Sequence, residues 1–164
     1  TNSCYNLFIM CIDSICEDQE LLNKLFDFTK ELIITKYDIP QIMTIVLKFL
    51  YYASNKNPQY IATEFTGLSM YFILGVTFDP DKKEWDDFFG VLIGLHSELL
   101  KNAHKQFSEA LSKVLQSFGL QEILESDNTN LNYLIALERD QREKFICVKR
   151  VIIHMLVIRN SLTW

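Results

Sequence analysis

Three histidines are the side chains here best able to move a proton or hold a metal near neutral pH, and they stand at positions 96, 104 and 154. His96 and His104 are eight residues apart. On one continuous helix they share a face but lie about 12 Å from each other along it. A metal ion draws its ligands to roughly 2 Å, so that pair cannot share one. His154 is remote in sequence, and each imidazole reads as a surface or partly buried group without a catalytic role. Cys4, Cys11 and Cys16 are spaced by seven and five, which is neither a zinc-knuckle gap nor a helical i, i+4 pair. With Cys147 they fall in apolar helical patterns and read as reduced, buried thiols. The carboxylates Asp79, Asp81, Glu84, Asp86 and Asp87 are dense, yet Lys82, Lys83 and Trp85 interrupt them and the central Gly of a calcium loop is missing. Helix capping and a solvated acidic face account for them. The chain carries no Gly-rich phosphate loop, no G-x-S-x-G elbow and no H-E-x-x-H. The expectation is no catalytic residue, no metal site and no cofactor, with a melting temperature indifferent to chelator and reductant.

Composition bounds the class. Across 164 residues, 49% are hydrophobic and 23% charged, the balance of a folded chain with a sizeable core. Three prolines and five glycines are too few for an all-β fold rich in turns. The formal charge of −5 argues against a dedicated nucleic-acid binder. The acidic excess sits in residues 1–100, and residues 101–164 are slightly basic. A span of the membrane needs about 20 mostly apolar residues. The longest uncharged run, residues 65–78, includes Thr66, Ser69 and Thr77. The short apolar segment at residues 7–12 has no basic leader, so it does not read as a signal peptide. Residues 1–164 are expected to form one all-helical domain, a piece of a longer protein because it opens on Thr1, working inside the cell in cytoplasm or nucleus.

The elements that must position these side chains read as helices throughout. Pro lacks a backbone N–H and sits well in the first turn of a helix. Pro40, Pro58 and Pro80 each follow an Asx residue, Asp38, Asn57 or Asp79, that can cap the free N–H groups. They predict three helix starts. An apolar helix is expected over residues 3–16. A second opens at Glu17-Asp18-Gln19-Glu20, whose carboxylates suit the positive end of the helix dipole. The helix over 39–53 has only Gln41, Thr44 and Lys48 as clearly polar positions, on one narrow stripe, so it is expected to be the most buried. A fourth runs from Pro58 to about Val76, with Gly67 and Gly75 as a flat patch for a neighbour. Gly90 and Gly94, four apart, are expected to permit a close helix crossing in the next. A break near Lys101-Asn102 separates it from a helix that Gly119 ends. Residues 126–130 read as a loop and 131–137 as a short helix. A last long helix covers about 141–160, where Arg139, Arg142, Lys144, Lys149 and Arg150 mix with Glu138, Asp140 and Glu143 as a solvated face.

Helix pairs of about 40 residues, each opened by an Asx residue and often Pro, resemble the HEAT and armadillo class of α-solenoids over residues 18–118. That resemblance implies a scaffold offering an extended surface and no reaction pocket. The arrangement of an apolar helix at 39–53 among others also resembles a compact Bcl-2-like bundle, although the Asn-Trp-Gly-Arg segment of the cellular proteins is absent. That second resemblance implies a hydrophobic groove gripping an amphipathic partner helix. A globin fits less well, since His96 could serve as a haem ligand but no histidine precedes it by a helix. The expected function is therefore non-catalytic protein–protein interaction. The terminal helices, apolar around more than one face, are the expected interface, through Phe8, Ile12, Ile15, Lys149, Arg150, Met155 and Trp164, with a protein partner or a second copy of the chain. Neither a membrane nor a nucleic acid is expected as partner.

Overall fold

A computed structural model describes residues 17–74, 83–119, 138–139 and 141–162. Among them there are six α-helices and no strand: α1 Gln19–Thr35, α2 Pro40–Lys56, α3 Pro58–Leu74, α4 Asp86–Asn102, α5 His104–Ser117 and α6 Arg142–Leu162. The chain is all-α, as its sequence predicts. Residues 3–16, 79–81, 126–137 and Trp164, on which several expectations rest, lie outside the described residues.

Helix ends follow local chemistry. The Asp18 carboxylate accepts the Leu21 backbone N–H at 3.1 Å and caps α1. Asn57 does the same for Tyr60 at 3.2 Å, with Pro58 as the first residue of α3. Asp38 does not cap α2. The cap position directly before Pro40 belongs to Ile39, which has no side-chain oxygen to offer. The acidic cluster also starts its helix later than expected: a 3₁₀ turn, Lys83–Trp85, precedes α4, and Asp86 and Asp87 fill the first turn. Ala103, at φ −142° and ψ 48°, breaks α4 from α5. Gly119 takes φ +69°, a left-handed conformation that costs Gly nothing, and donates its N–H to the Gln116 carbonyl.

Packing runs in two rows. In one, α2 packs on α4 and α4 on α6; in the other, α1 packs on α3 and α3 on α5. The rows meet through consecutive helices, and α3 additionally reaches α6. The last helix thus leans on α3 and α4, and α3 packs against all five others.

That makes α3, not the 39–53 helix, the central element. Both helices are largely buried, but α2 leaves Ile45 and Tyr51 37% and 38% exposed. On α3 Tyr71 is likewise 50% exposed, yet even the polar Thr66 and Ser69 are fully inside. Counting polar residues misjudges this pair because a small hydroxyl can bond a carbonyl of its own helix and then be buried. A tyrosine keeps its phenol tip toward water. Aromatic contacts fasten α1 to this centre: Phe26 lies 5.8 Å from Phe49, 4.9 Å from Tyr60 and 5.6 Å from Phe65 between ring centroids. At their rim, the Lys30 ammonium donates to the Glu64 carboxylate at 2.8 Å, and that bond raises the lysine's pKa. A second cluster joins α3 to α4, with Phe88 4.8 Å from Phe72 and 5.0 Å from Trp85.

Candidate functional site

Where α3, α4 and α6 converge, each contributes one polar residue from an otherwise apolar face. Ser69 sits among Phe65, Met70 and Phe72 on α3. His96 lies between Leu92 and Leu99 on α4, and His154 between Val151 and Ile158 on α6. The Ser69 hydroxyl is 2.7 Å from His96 Nε2, and His96 Nδ1 is 2.7 Å from His154 Nε2. Ser69 Oγ also donates to the Thr66 carbonyl at 3.1 Å. A hydroxyl has one hydrogen, so with that donation made it accepts from His96 Nε2–H. His96 Nδ1 is then an acceptor and takes the His154 Nε2–H. The result is a relay pointing inward from α6 to the backbone of α3, with both imidazoles neutral.

Burial enforces that neutrality. His96 is fully enclosed, and desolvation, followed by the neighbouring His154, holds its pKa well below the usual imidazole range. Desolvation lowers His154 to about 4. Among the described residues no carboxylate shifts either ring. The Thr66 hydroxyl, one turn from Ser69, is buried without a partner.

Ser69 and His96 have the spacing of a nucleophile and its general base. Both are closed off, however. The adjoining cavity is a groove of about 250 Å³ lined by Phe72, Ile73, Phe89, Ile93, Arg150, Ile153, His154 and Val157, and of the relay only His154 reaches it. Arg150 and His154 are the polar members of that lining. Ile153 and Val157 remain 50% and 38% exposed on its open side.

Of the residues expected to bind a partner, Arg150 lies in the groove and Lys149 is exposed beside it on α6. Met155 turns the other way. It is half-buried against the core and lines a separate cavity with Leu100, His104 and Leu111. Phe8, Ile12, Ile15 and Trp164 lie outside the described residues, as do Cys4, Cys11 and Cys16. His104, cut off from α4 by the break at Ala103, is exposed near Ser108. The sequence reading sets His154 apart, whereas the fold brings it to His96. The signal available was an isolated histidine on the apolar face of two helices and the Thr66–Ser69 pair on that of a third. Among the described residues no group of His, Cys, Asp or Glu could hold a metal ion, and no helix is long and apolar enough to cross a membrane.

Comparison with known proteins brings no match to a family model, a curated protein or a solved structure. The class is therefore defined by fold and site alone: an all-helical chain with a buried Ser–His–His relay beside an apolar groove.

Proposed function

We propose that this chain is a non-catalytic protein-interaction domain whose groove between α3, α4 and α6 takes an amphipathic helix with acidic flanks. The groove carries the reading: six of its eight lining residues are apolar, and two of those are half-exposed. Along its open side Arg150, Ile153 and Val157 are spaced three and four on α6, the register at which one helix meets another, and exposed Ile146 stands four residues before Arg150 in the same register. Helix α6 is basic, with Arg142, Lys144, Lys149, Arg150 and Arg159 against Glu143 alone, so Asp or Glu beside the partner's apolar stripe complements it. In fold terms we read a compact bundle about α3 in preference to an open solenoid segment, because α6 turns back onto α3. Catalysis is set aside because the Ser69 hydroxyl is spent on its own helix, away from the groove.

The test is selection from a display library of helical peptides against the intact chain, with Ile153→Asp and Val157→Asp as controls whose side chains are exposed enough to spare the fold. Recovered peptides should carry apolar residues at helical spacing flanked by Asp or Glu, and both substitutions should abolish binding. Binders indifferent to both substitutions, or none at all, would overturn the reading. So would light scattering that shows a dimer dissolved by Ile153→Asp, since a second copy would then be the occupant.

A further inference from the structure

We propose that the Ser69–His96–His154 relay is an acid-released latch: protonation of its imidazoles frees α6 from α3 and α4 and removes one wall of the groove. The release of α6 follows from the relay alone; its effect on partner binding rests on the function proposed above.

The geometry leaves no place for two added protons. With both rings neutral, each N–H in the relay has one acceptor, and the chain ends on the Thr66 carbonyl. A first added proton can enter at Nδ1 of His154, whose Nε2–H still donates to His96, but it places a charge among buried apolar side chains. A second proton sets N–H against N–H across 2.7 Å. Among the described residues no carboxylate is placed against the relay to offset the charge. From α3 it meets Ser69 and Thr66, which do not ionise, and from α5 the ring of Phe107, 5.4 Å from His96 between centroids. From α4 comes His96 itself, flanked by Leu92, Leu95 and Leu99, all buried. On α6 the charged group sharing the cavity with His154 is Arg150, of the same sign as an imidazolium. Among the described residues no Asp or Glu shifts either ring.

Position makes the protonation consequential. The relay ties α6 to α4 and, through His96, to α3, and its outer ring forms part of the groove. Around it α6 buries the apolar side chains of Val148, Val151 and Ile158. Acid should therefore loosen α6 before it loosens α2, which carries no histidine of its own.

Hydrogen exchange of the intact chain, corrected for the intrinsic pH dependence of exchange, reads the release directly. Between about pH 7.5 and 5, protection of α6 should fall by about tenfold or more while that of α2 holds, because protons bind the open form preferentially below the ordinary histidine pKa. His154→Gln can turn either its amide N–H or its carbonyl toward His96, so it should keep α6 protected at the acid end. Should that variant fail to fold, the pH profile of the unmodified chain decides: α6 protection must hold above the ordinary histidine pKa of about 6.5 and fall progressively below it. Flat protection of α6, an undiminished loss in a folded His154→Gln, or a loss that sets in equally in α2 would each overturn the latch. Peptide affinity measured alongside separates the two proposals. If α6 is released by acid but no peptide binds at about pH 7.5, the groove reading fails and the latch stands; if peptides bind and α6 ignores acid, the reverse holds.

Discussion

Thr66 and Ser69 stand one turn apart on the most enclosed helix and have opposite hydrogen-bond fates. Ser69 is satisfied twice, while the Thr66 hydroxyl has no partner. A buried hydroxyl left unpaired costs free energy that an isosteric methyl does not. Thr66→Val should therefore stabilise the chain by about 1 kcal/mol in urea titration, and a loss of stability would show that the hydroxyl has a hidden role. Ser69→Ala should act oppositely, since it strips the acceptor from a buried His96 N–H. The histidines set the pH dependence. His154 falls from an ordinary 6.5 to about 4 on folding, so below 6.5 the unfolded chain binds a proton that the folded chain refuses. Its stabilising contribution is complete above 6.5 and is lost as pH falls toward 4, amounting to about 3 kcal/mol over that window. The buried His96 acts in the same direction. Urea titrations at several pH values, run beside His154→Gln to subtract the carboxylates, should recover that difference. None of this was legible at the residue scale in sequence, because 58 residues separate the two imidazoles that the fold places 2.7 Å apart.

Elements were easier to read than sites, and the reasons are local. Pro58 after Asn57, the acidic start of α1, the break before His104 and Gly119 as a terminator all depend on a few neighbouring residues, and each is found in place. Which helix sits in the middle depends on partners far along the chain, and there the sequence favours α2 over α3. The glycines show the same divide. Gly94 faces a neighbour, since a Cβ there would lie 3.4 Å from the Tyr51 ring, but a Cβ at Gly90 meets nothing within 4 Å. The expected crossing uses one glycine of the two. Gly90→Ala should then raise stability by roughly 0.5–1 kcal/mol, the usual gain from stiffening an unconstrained helix interior. A loss would mean that something approaches that face of α4. Phe49 tests the core role of α2. It is 3% exposed and stacked on Phe26, and its truncation to Ala should cost roughly 3–5 kcal/mol. A cost below about 1 kcal/mol in denaturant titration would place α2 at the periphery.

At the scale of the molecule, the choice between a stack and a bundle turns on α6. Helices that touch only their neighbours have stabilities that add unit by unit, and losing a terminal unit removes one interface while the rest still folds. The row pattern, α2 on α4 and α3 on α5, would fit such a stack by itself. What departs from it is the return of α6 onto α3, across the intervening α5. Val148, Val151 and Ile158 are fully buried in that return, and without them the groove residues Phe72, Ile73 and Ile93 lose a wall. The relay suffers more, because His96 Nδ1 would keep its burial on two sides and lose its donor. Removing residues 142–162 should therefore abolish cooperative unfolding of what remains. Circular dichroism should show retained helix but a broad melt, and a hydrophobic dye should bind, the behaviour of a chain that keeps its helices without fixed packing. A sharp melt within a few degrees of the intact chain would instead mean that helices 1 to 5 close their own core. In that case α6 is an appendage on a finished stack, and the bundle reading about α3 fails with it.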